Sequence, residues 1–293
     1  MEIGVALPQM APGYGPGTTV AWASRVDEGP FSSISAGERV TFPNPEMVAS
    51  LAAAAAVTRR VRVMANLWVL PAHSTAMVAQ QVTTLDQLAD GRLSLAVGVG
   101  AREDDYRALD SSFRGRHAQL DERVAELRRL LSGHPPFLGA DPVGPAPTRP
   151  AGPEILAGAM GPKAMRRAAA WADGISAFTL SGSKDEVART NALADQCWEE
   201  AGRGVPRKVS GTFFALGVDD PARTLHTFAA RYLGFLGPEL ADAMAATVRT
   251  ATPGDLRAVL DGAEAAGCDE FILVPGTVDL RALDAAVEVV AGR

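Results

Sequence analysis

Short runs of β-branched or small apolar residues alternate along the chain with longer stretches rich in Ala, Leu, Arg and Glu. The short runs have the length of buried strands. In the longer ones the apolar positions recur every three to four residues, the period of an amphipathic helix. Regular alternation of the two predicts parallel βα units. Strands are predicted at 3–7, 31–36, 61–67, 93–98, 154–158, 174–179, 208–216 and 270–274. Helices are predicted at 18–28, 45–58, 75–89, 118–132, 162–172, 184–201, 221–232, 238–248, 253–266 and 279–291. Several of these begin at recognisable starts: Pro45, Pro162, Ser183 and the Thr252-Pro253 pair. Eight βα units that close on themselves make a TIM barrel, a single domain over residues 1–293; an open doubly wound sheet is the alternative. One segment interrupts the rhythm. Residues 133–153 contain seven of the twenty prolines and are predicted to form a surface loop before the fifth strand, either a plain connection or a lid.

Composition narrows the function classes. The chain is 47% apolar and 21% charged with a net charge of −6, a globular profile without the basic, aromatic-interleaved patches that bind nucleic acid. The N-terminal apolar run stops at Pro8, too soon for a secretion signal, and no window approaches the roughly 20 apolar residues of a membrane span. A cytoplasmic location is expected. Cys197 and Cys268 are expected to be free buried thiols. The four histidines are scattered and no Cys-x-x-Cys occurs, so no dedicated metal site is expected. Serine-hydrolase elbows and Walker A loops are absent, and Gly98-Val99-Gly100 lacks the third glycine of a dinucleotide fingerprint.

In a βα barrel the chemistry collects where strands end. Those ends carry Pro8 and Gln9, then Glu38 and Arg39, then Asn66, Trp68 and His73. The fourth end supplies Gly98, Gly100, Arg102 and Glu103, and the later ones Met160, Gly161, Thr179, Ser181, Pro275 and Gly276. The rim is polar and rich in glycine above an apolar barrel. The turn Gly158–Pro162 runs from a strand into a helix whose first turn carries Lys163, a place where free N–H groups suit a phosphate.

These residues carry a family resemblance. "IGVALPQ" at 3–9, "GER" at 37–39, residues 58–104 from "TRRVRVMANLWVLPAH" to "GVGARED", "RGRHAQLDERVAELRRLL" at 114–131, "AGAMGPKAMRRAAAWADG" at 157–174 and "AAGCDEFILVPG" at 265–276 together resemble the luciferase-like monooxygenases. Within that family the chain is most similar to the branch that uses the deazaflavin coenzyme F420. The resemblance implies a TIM barrel that binds reduced F420, or FMN as the alternative, at the strand C-termini. Its ring would lie near Ala65, Asn66, Trp68, Gly98 and Gly100, over a non-proline cis peptide expected near Ala65-Asn66. The cofactor phosphate is expected at Met160, Gly161 and Thr179.

The implied activity is hydride transfer between F420 and a small organic substrate. An FMN-dependent monooxygenase is the alternative, and a barrel that has lost cofactor binding is the reading from another class. Relatives often place a histidine where this chain has Arg39, and arginine cannot act as a general acid near neutral pH. The residues implied for chemistry are therefore Arg39 as an anion stabiliser, with Glu38 and His73 as candidate proton donors. Some F420-dependent relatives carry an acid at the position of Ala101, with Glu103 and Asp104 close by here. Relatives are often homodimers, and the Ala-rich helices are the possible packing faces.

Overall fold

The computed structural model describes residues 1–293 and contains a closed barrel of eight parallel strands in sequential order. The strands are β1 (Glu2–Ala6), β2 (Ser33–Ala36), β3 (Arg62–Val69), β4 (Leu93–Gly98), β5 (Ile155–Ala157), β6 (Gly174–Ser176), β7 (Arg207–Phe214) and β8 (Glu270–Pro275). The open sheet is thereby excluded: β1 pairs with both β2 and β8. Around the barrel run α1 (Thr18–Glu28), α2 (Met47–Val57), α3 (Thr75–Leu88), α4 (Glu103–Ala108), α5 (Arg116–Leu131) and α6 (Pro162–Ala168). They are followed by α7 (Lys184–Glu200), α8 (Pro221–Leu233), α9 (Pro238–Ala245), α10 (Pro253–Ala265) and α11 (Leu280–Ala291). The Thr252 start is a capping box closed by Asp255, whereas α2 is capped by the Glu46 carboxylate, with Pro45 left outside. None of the helices is long and apolar enough to cross a membrane. Cys197 and Cys268 are free and buried.

Alternation along each strand divides the apolar residues into two layers. Ala6, Met64, Ala96, Leu156, Val209 and Ile272 fill the barrel interior. Their neighbours Val5, Val63, Ala65, Leu95 and Phe271 point outward against the helices. In β3 the alternation breaks. Asn66 pairs with Ala96 and Trp68 with Val97, so Leu67 is an extra residue bulged out of the ladder. The peptide bond Asn66–Leu67 is cis, one bond beyond the expected Ala65–Asn66.

The two barrel ends differ in content. At the N-terminal end, Glu270 is 1% exposed and accepts from Arg62 and Arg207 at 2.7 Å each, from Ser32 Oγ at 2.8 Å and from Ser33 Oγ at 2.5 Å. The 133–153 segment also belongs to this end. It joins the end of α5 to the start of β5, and every such αβ connection in a barrel lies opposite the strand C-termini. Thr148 donates through N and Oγ1 to the buried Asp86, and Arg149 donates to the Leu93 carbonyl. The segment is therefore a tied connection and not a lid over the mouth.

Candidate functional site

At the C-terminal end the barrel opens into a cavity of about 490 Å³. Its floor is formed by Ala6, Ser35, Asn66, Leu67 and Ser176, which rise from four of the strands. One wall is aromatic: Phe178, Phe213, Phe228, Tyr232 and Phe235. Phe213 packs edge-on against Phe228 and Tyr232, with ring centroids 5.0 and 5.2 Å away. A wider depression of about 890 Å³ lies at the other barrel end, but most of its charges are paired. Arg62 meets Glu2 and Glu270, Arg293 meets Asp261 and Glu264, and the N-terminal ammonium meets Glu264. The mouth is where polar groups are left available.

The bulge decides which β3 side chains reach the cavity. Without the extra residue, Asn66 and Trp68 would both point inward. With it, Asn66 and Leu67 line the cavity, while Trp68 turns into the layer beneath the helices and is 1% exposed. Ala65 faces that same outer layer. Glycines make the space that the bulge occupies. A Cβ on Gly37 would stand 2.8 Å from the Asn66 carbonyl oxygen, one on Gly98 3.1 Å from Leu67, and one on Gly158 2.3 Å from Leu67. Gly98 thus acts behind Leu67, whereas Gly100, with φ +61°, is itself part of the cavity wall. Asn66 is held by Ser176 Oγ, which donates to Oδ1 at 2.7 Å.

Glu38 reaches the cavity from the end of β2. Its Oε2 accepts from the Val69 N–H at 2.7 Å and its Oε1 meets His73 Nε2 at 2.5 Å. The His73 carbonyl in turn accepts from Arg123 at 2.5 Å. Glu38 lines the cavity and His73 lies behind it, their side chains 11% and 23% exposed. Arg39 does not join them. Its guanidinium lies 3.9 Å above the Phe42 ring and 5.4 Å from the Tyr232 ring, and it donates to the Tyr232 carbonyl at 3.3 Å. Burial and the neighbouring Arg102 bring its pKa down to about 10, so it keeps its charge at neutral pH.

The expected phosphate residues do not converge. Met160 is 73% exposed on the cavity edge, and Gly161, with φ +81°, is the residue that starts α6. Thr179 lies 2% exposed, and its hydroxyl donates to Glu186 at 2.6 Å while accepting from the Gly182 N–H at 3.1 Å. That hydroxyl is committed to its own loop.

The composition of the cavity fits a planar, partly polar ring. Glycines leave it open beside Gly37, Gly100 and Gly158, apolar side chains cover its walls, and Gln9 Oε1 is a buried acceptor without a partner at its edge. Sequence reasoning missed the aromatic wall. Its signal was present: Phe228, Tyr232 and Phe235 recur at helical spacing through "FAARYLGF".

Known proteins place the chain. An uncharacterized protein of Mycobacterium tuberculosis is 33% identical over 168 residues, 54% of this chain and 56% of that protein. The chain thus spans about half the length of the curated relatives it matches. Among solved structures, an F420-dependent secondary alcohol dehydrogenase in complex with an F420-acetone adduct aligns with a TM-score of 0.81 at 20% identity, covering 98% of this chain and 97% of that one. The oxygenating constituent of 3,6-diketocamphane monooxygenase from Pseudomonas putida, in complex with FMN, aligns with a TM-score of 0.72 at 17% identity, covering 100% and 98%. At these identities the structures share the fold. The luciferase-like monooxygenase profile matches residues 1–273, and with the barrel complete the chain belongs to the luciferase-like monooxygenase family.

Proposed function

We propose that the protein is an oxidoreductase that holds reduced F420 in the mouth cavity and passes a hydride to or from a small organic substrate. The observation that carries this reading is the cavity itself: a glycine-flanked, apolar-walled slot at the strand C-termini, floored by the Asn66–Leu67 bulge. The F420-dependent neighbour, with a TM-score of 0.81, supports this cofactor over FMN. F420, when bound, supplies the two-electron chemistry.

The chain's own residues orient the ligands and manage a proton. Asn66, fixed by Ser176, and Gln9 would offer polar contacts to the bound ring. The Phe178, Phe213 and Phe228 wall excludes water and receives an apolar substrate body. Glu38 Oε1 and His73 Nε2 share the proton that must accompany hydride transfer to or from a carbonyl or alcohol, since Arg39 cannot release one. The turn 158–161 is the remaining place for the cofactor phosphate, through its backbone and without Thr179.

Titration of the purified protein with F420 and FMN, oxidised and reduced, tests the reading by fluorescence. Micromolar binding of F420 is expected. Binding of reduced FMN alone would replace it with the monooxygenase reading, and binding of neither would leave a barrel that has lost its cofactor.

A further inference from the structure

Arg39 and Arg102 come from different parts of the mouth, the end of β2 and the residue before α4, and converge on one atom. Both donate to the Tyr232 carbonyl oxygen, at 3.3 and 3.5 Å. Both also stack on aromatic rings: Arg39 over Phe42 and Tyr232, Arg102 5.0 Å from the Tyr232 ring and 4.4 Å from the Phe235 ring. Arg231 brings a third guanidinium, 5.0 Å from Phe42.

No carboxylate answers them. Arg62, Arg207, Arg281 and Arg293 all form ion pairs, whereas Arg39, Arg102 and Arg231 form none within 4.0 Å. Asp105, whose charge acts on Arg39 and Arg102 from a distance, accepts instead from the Val40 and Thr41 N–H groups and from Thr41 Oγ1, at 3.2, 2.7 and 2.5 Å. Buried unpartnered Nε atoms occur at Arg39, Arg62, Arg102, Arg116 and Arg207; Arg62 and Arg207 are bound through their terminal nitrogens to Glu270, Arg116 donates to the Phe113 carbonyl by itself, and Arg39 and Arg102 share one neutral carbonyl. Like charges gathered around a single carbonyl repel, and an anion between them removes both the repulsion and the unmet donors. Arg102, Tyr232 and Phe235 line the cavity, so Arg102 faces whatever occupies it, and Arg39 stands beside the lining on the same Tyr232 carbonyl.

We propose that Arg39 and Arg102 form a carboxylate-recognition site at the rim of the mouth cavity, selecting a ligand that joins an apolar body to a carboxylate. The aromatic wall takes the body and the guanidinium pair takes the charged end. This deepens the proposed function, on which its identification of a substrate class rests; the carboxylate comes from the substrate or from the acidic tail of F420.

Calorimetry of the full chain with benzoate and with its uncharged analogue benzamide tests the site directly, since benzoate is small enough to enter any such cavity. Benzoate is expected to bind at least about tenfold more tightly, a difference of about 1.4 kcal/mol. Arg39→Gln and Arg102→Gln should each abolish that preference without changing benzamide binding, and Arg39→Lys should restore part of it. Equal affinities, no benzoate binding, or glutamine variants that keep the preference would each overturn the proposal.

Titrating the same variants with F420 and with its tail-less deazaflavin ring separates the sources. Weaker binding of F420 alone assigns the carboxylate to the cofactor tail; unchanged binding of both assigns it to the substrate. Failure of the wild-type protein to bind any flavin or deazaflavin would refute the proposed function while leaving the benzoate result standing.

Discussion

The two ends of the barrel treat charge in opposite ways. At the N-terminal end Glu270 sits between Arg62 and Arg207, with Glu2 and Glu154 outside them, and both of these guanidinia meet carboxylates. Burial alone would weaken the hold of Arg62 on its proton, but Glu2 and Glu270 raise its pKa well above the ordinary arginine range. At the mouth Arg39 has no such partner, and its pKa falls. The residue type and the degree of burial are alike, and the neighbouring charges differ: carboxylates around Arg62, further guanidinia around Arg39. A barrel closes its lower end for stability and keeps unmet polar groups at the end where ligands enter.

Removing Glu270 is the largest perturbation of this contrast. Glu270→Gln keeps the shape and leaves two arginines facing each other in a buried site, which should cost about 3–5 kcal/mol of stability in denaturant unfolding. A loss below about 1 kcal/mol would show that the lower network contributes little, and the contrast would then rest on the mouth alone.

At the mouth the comparable change acts on turnover. Glu38→Gln preserves the contact with the Val69 N–H but removes the charge beside His73. Reduction or oxidation of substrate should slow about 100-fold, with little change in melting temperature. His73→Gln should fall similarly, and the double variant no further, because the two residues handle one proton. Additive losses would mean that they act separately.

Glycine substitutions probe packing at each end. A Cβ on Gly4 would meet Ser33 Oγ at 2.1 Å and Ile272 Cδ1 at 2.6 Å, inside a closed layer. Gly4→Ala should therefore cost about 1–3 kcal/mol. A Cβ on Gly158 meets mainly the tip of Leu67, which can swing into the open cavity. Gly158→Ala should cost about 1 kcal/mol or less in stability and weaken cofactor binding instead, because the displaced Leu67 occupies the ring space. Equal destabilisation at both ends would show that the mouth is as tightly packed as the floor.

The barrel was legible in the sequence because period is a local property: every strand and ten of the helices lie where the alternation puts them. α4 escaped because it has only six residues and opens on Glu103, Asp104 and Asp105, too short and too polar to show a helical period. The position of the 133–153 segment was a matter of topology, not of its prolines, since a helix-to-strand connection lies at the lower end whatever its composition. Trp68 depended on one extra residue. A single bulge exchanges inside and outside for all that follows, and period-two reasoning cannot detect it. Thr179 depended on Glu186, seven residues on, and no local pattern announces such a partner. Arg39 stood out as a departure from relatives, but its pairing with Arg102 required the fold to bring β2 and α4 together.

The smallest effect is the most specific to the contrast. A guanidinium whose pKa falls to about 10 in the folded chain, below the ordinary arginine range, loses its proton there before it does in the unfolded chain. Between the folded and unfolded values the unfolded state binds more protons, so this group makes stability rise with pH across that window, and below about pH 10 its charge is a net burden on the fold. The groups that set the balance are Arg102 and Arg231, which oppose the charge, and Asp105 and Tyr232, which favour it. Arg39→Gln removes the repulsion but also the stacking on Phe42, so at neutral pH the ligand-free protein should gain only a few tenths of a kcal/mol. The same variant should lose its advantage as the pH approaches 11, and benzoate binding by the wild-type chain should weaken over that range. The corresponding Arg62→Gln variant at the other end should lose stability at every pH, because there the charge is answered. If both arginines responded with the same sign, the mouth would be charged by accident of packing, and the unmet guanidinium pair would carry no information about the ligand.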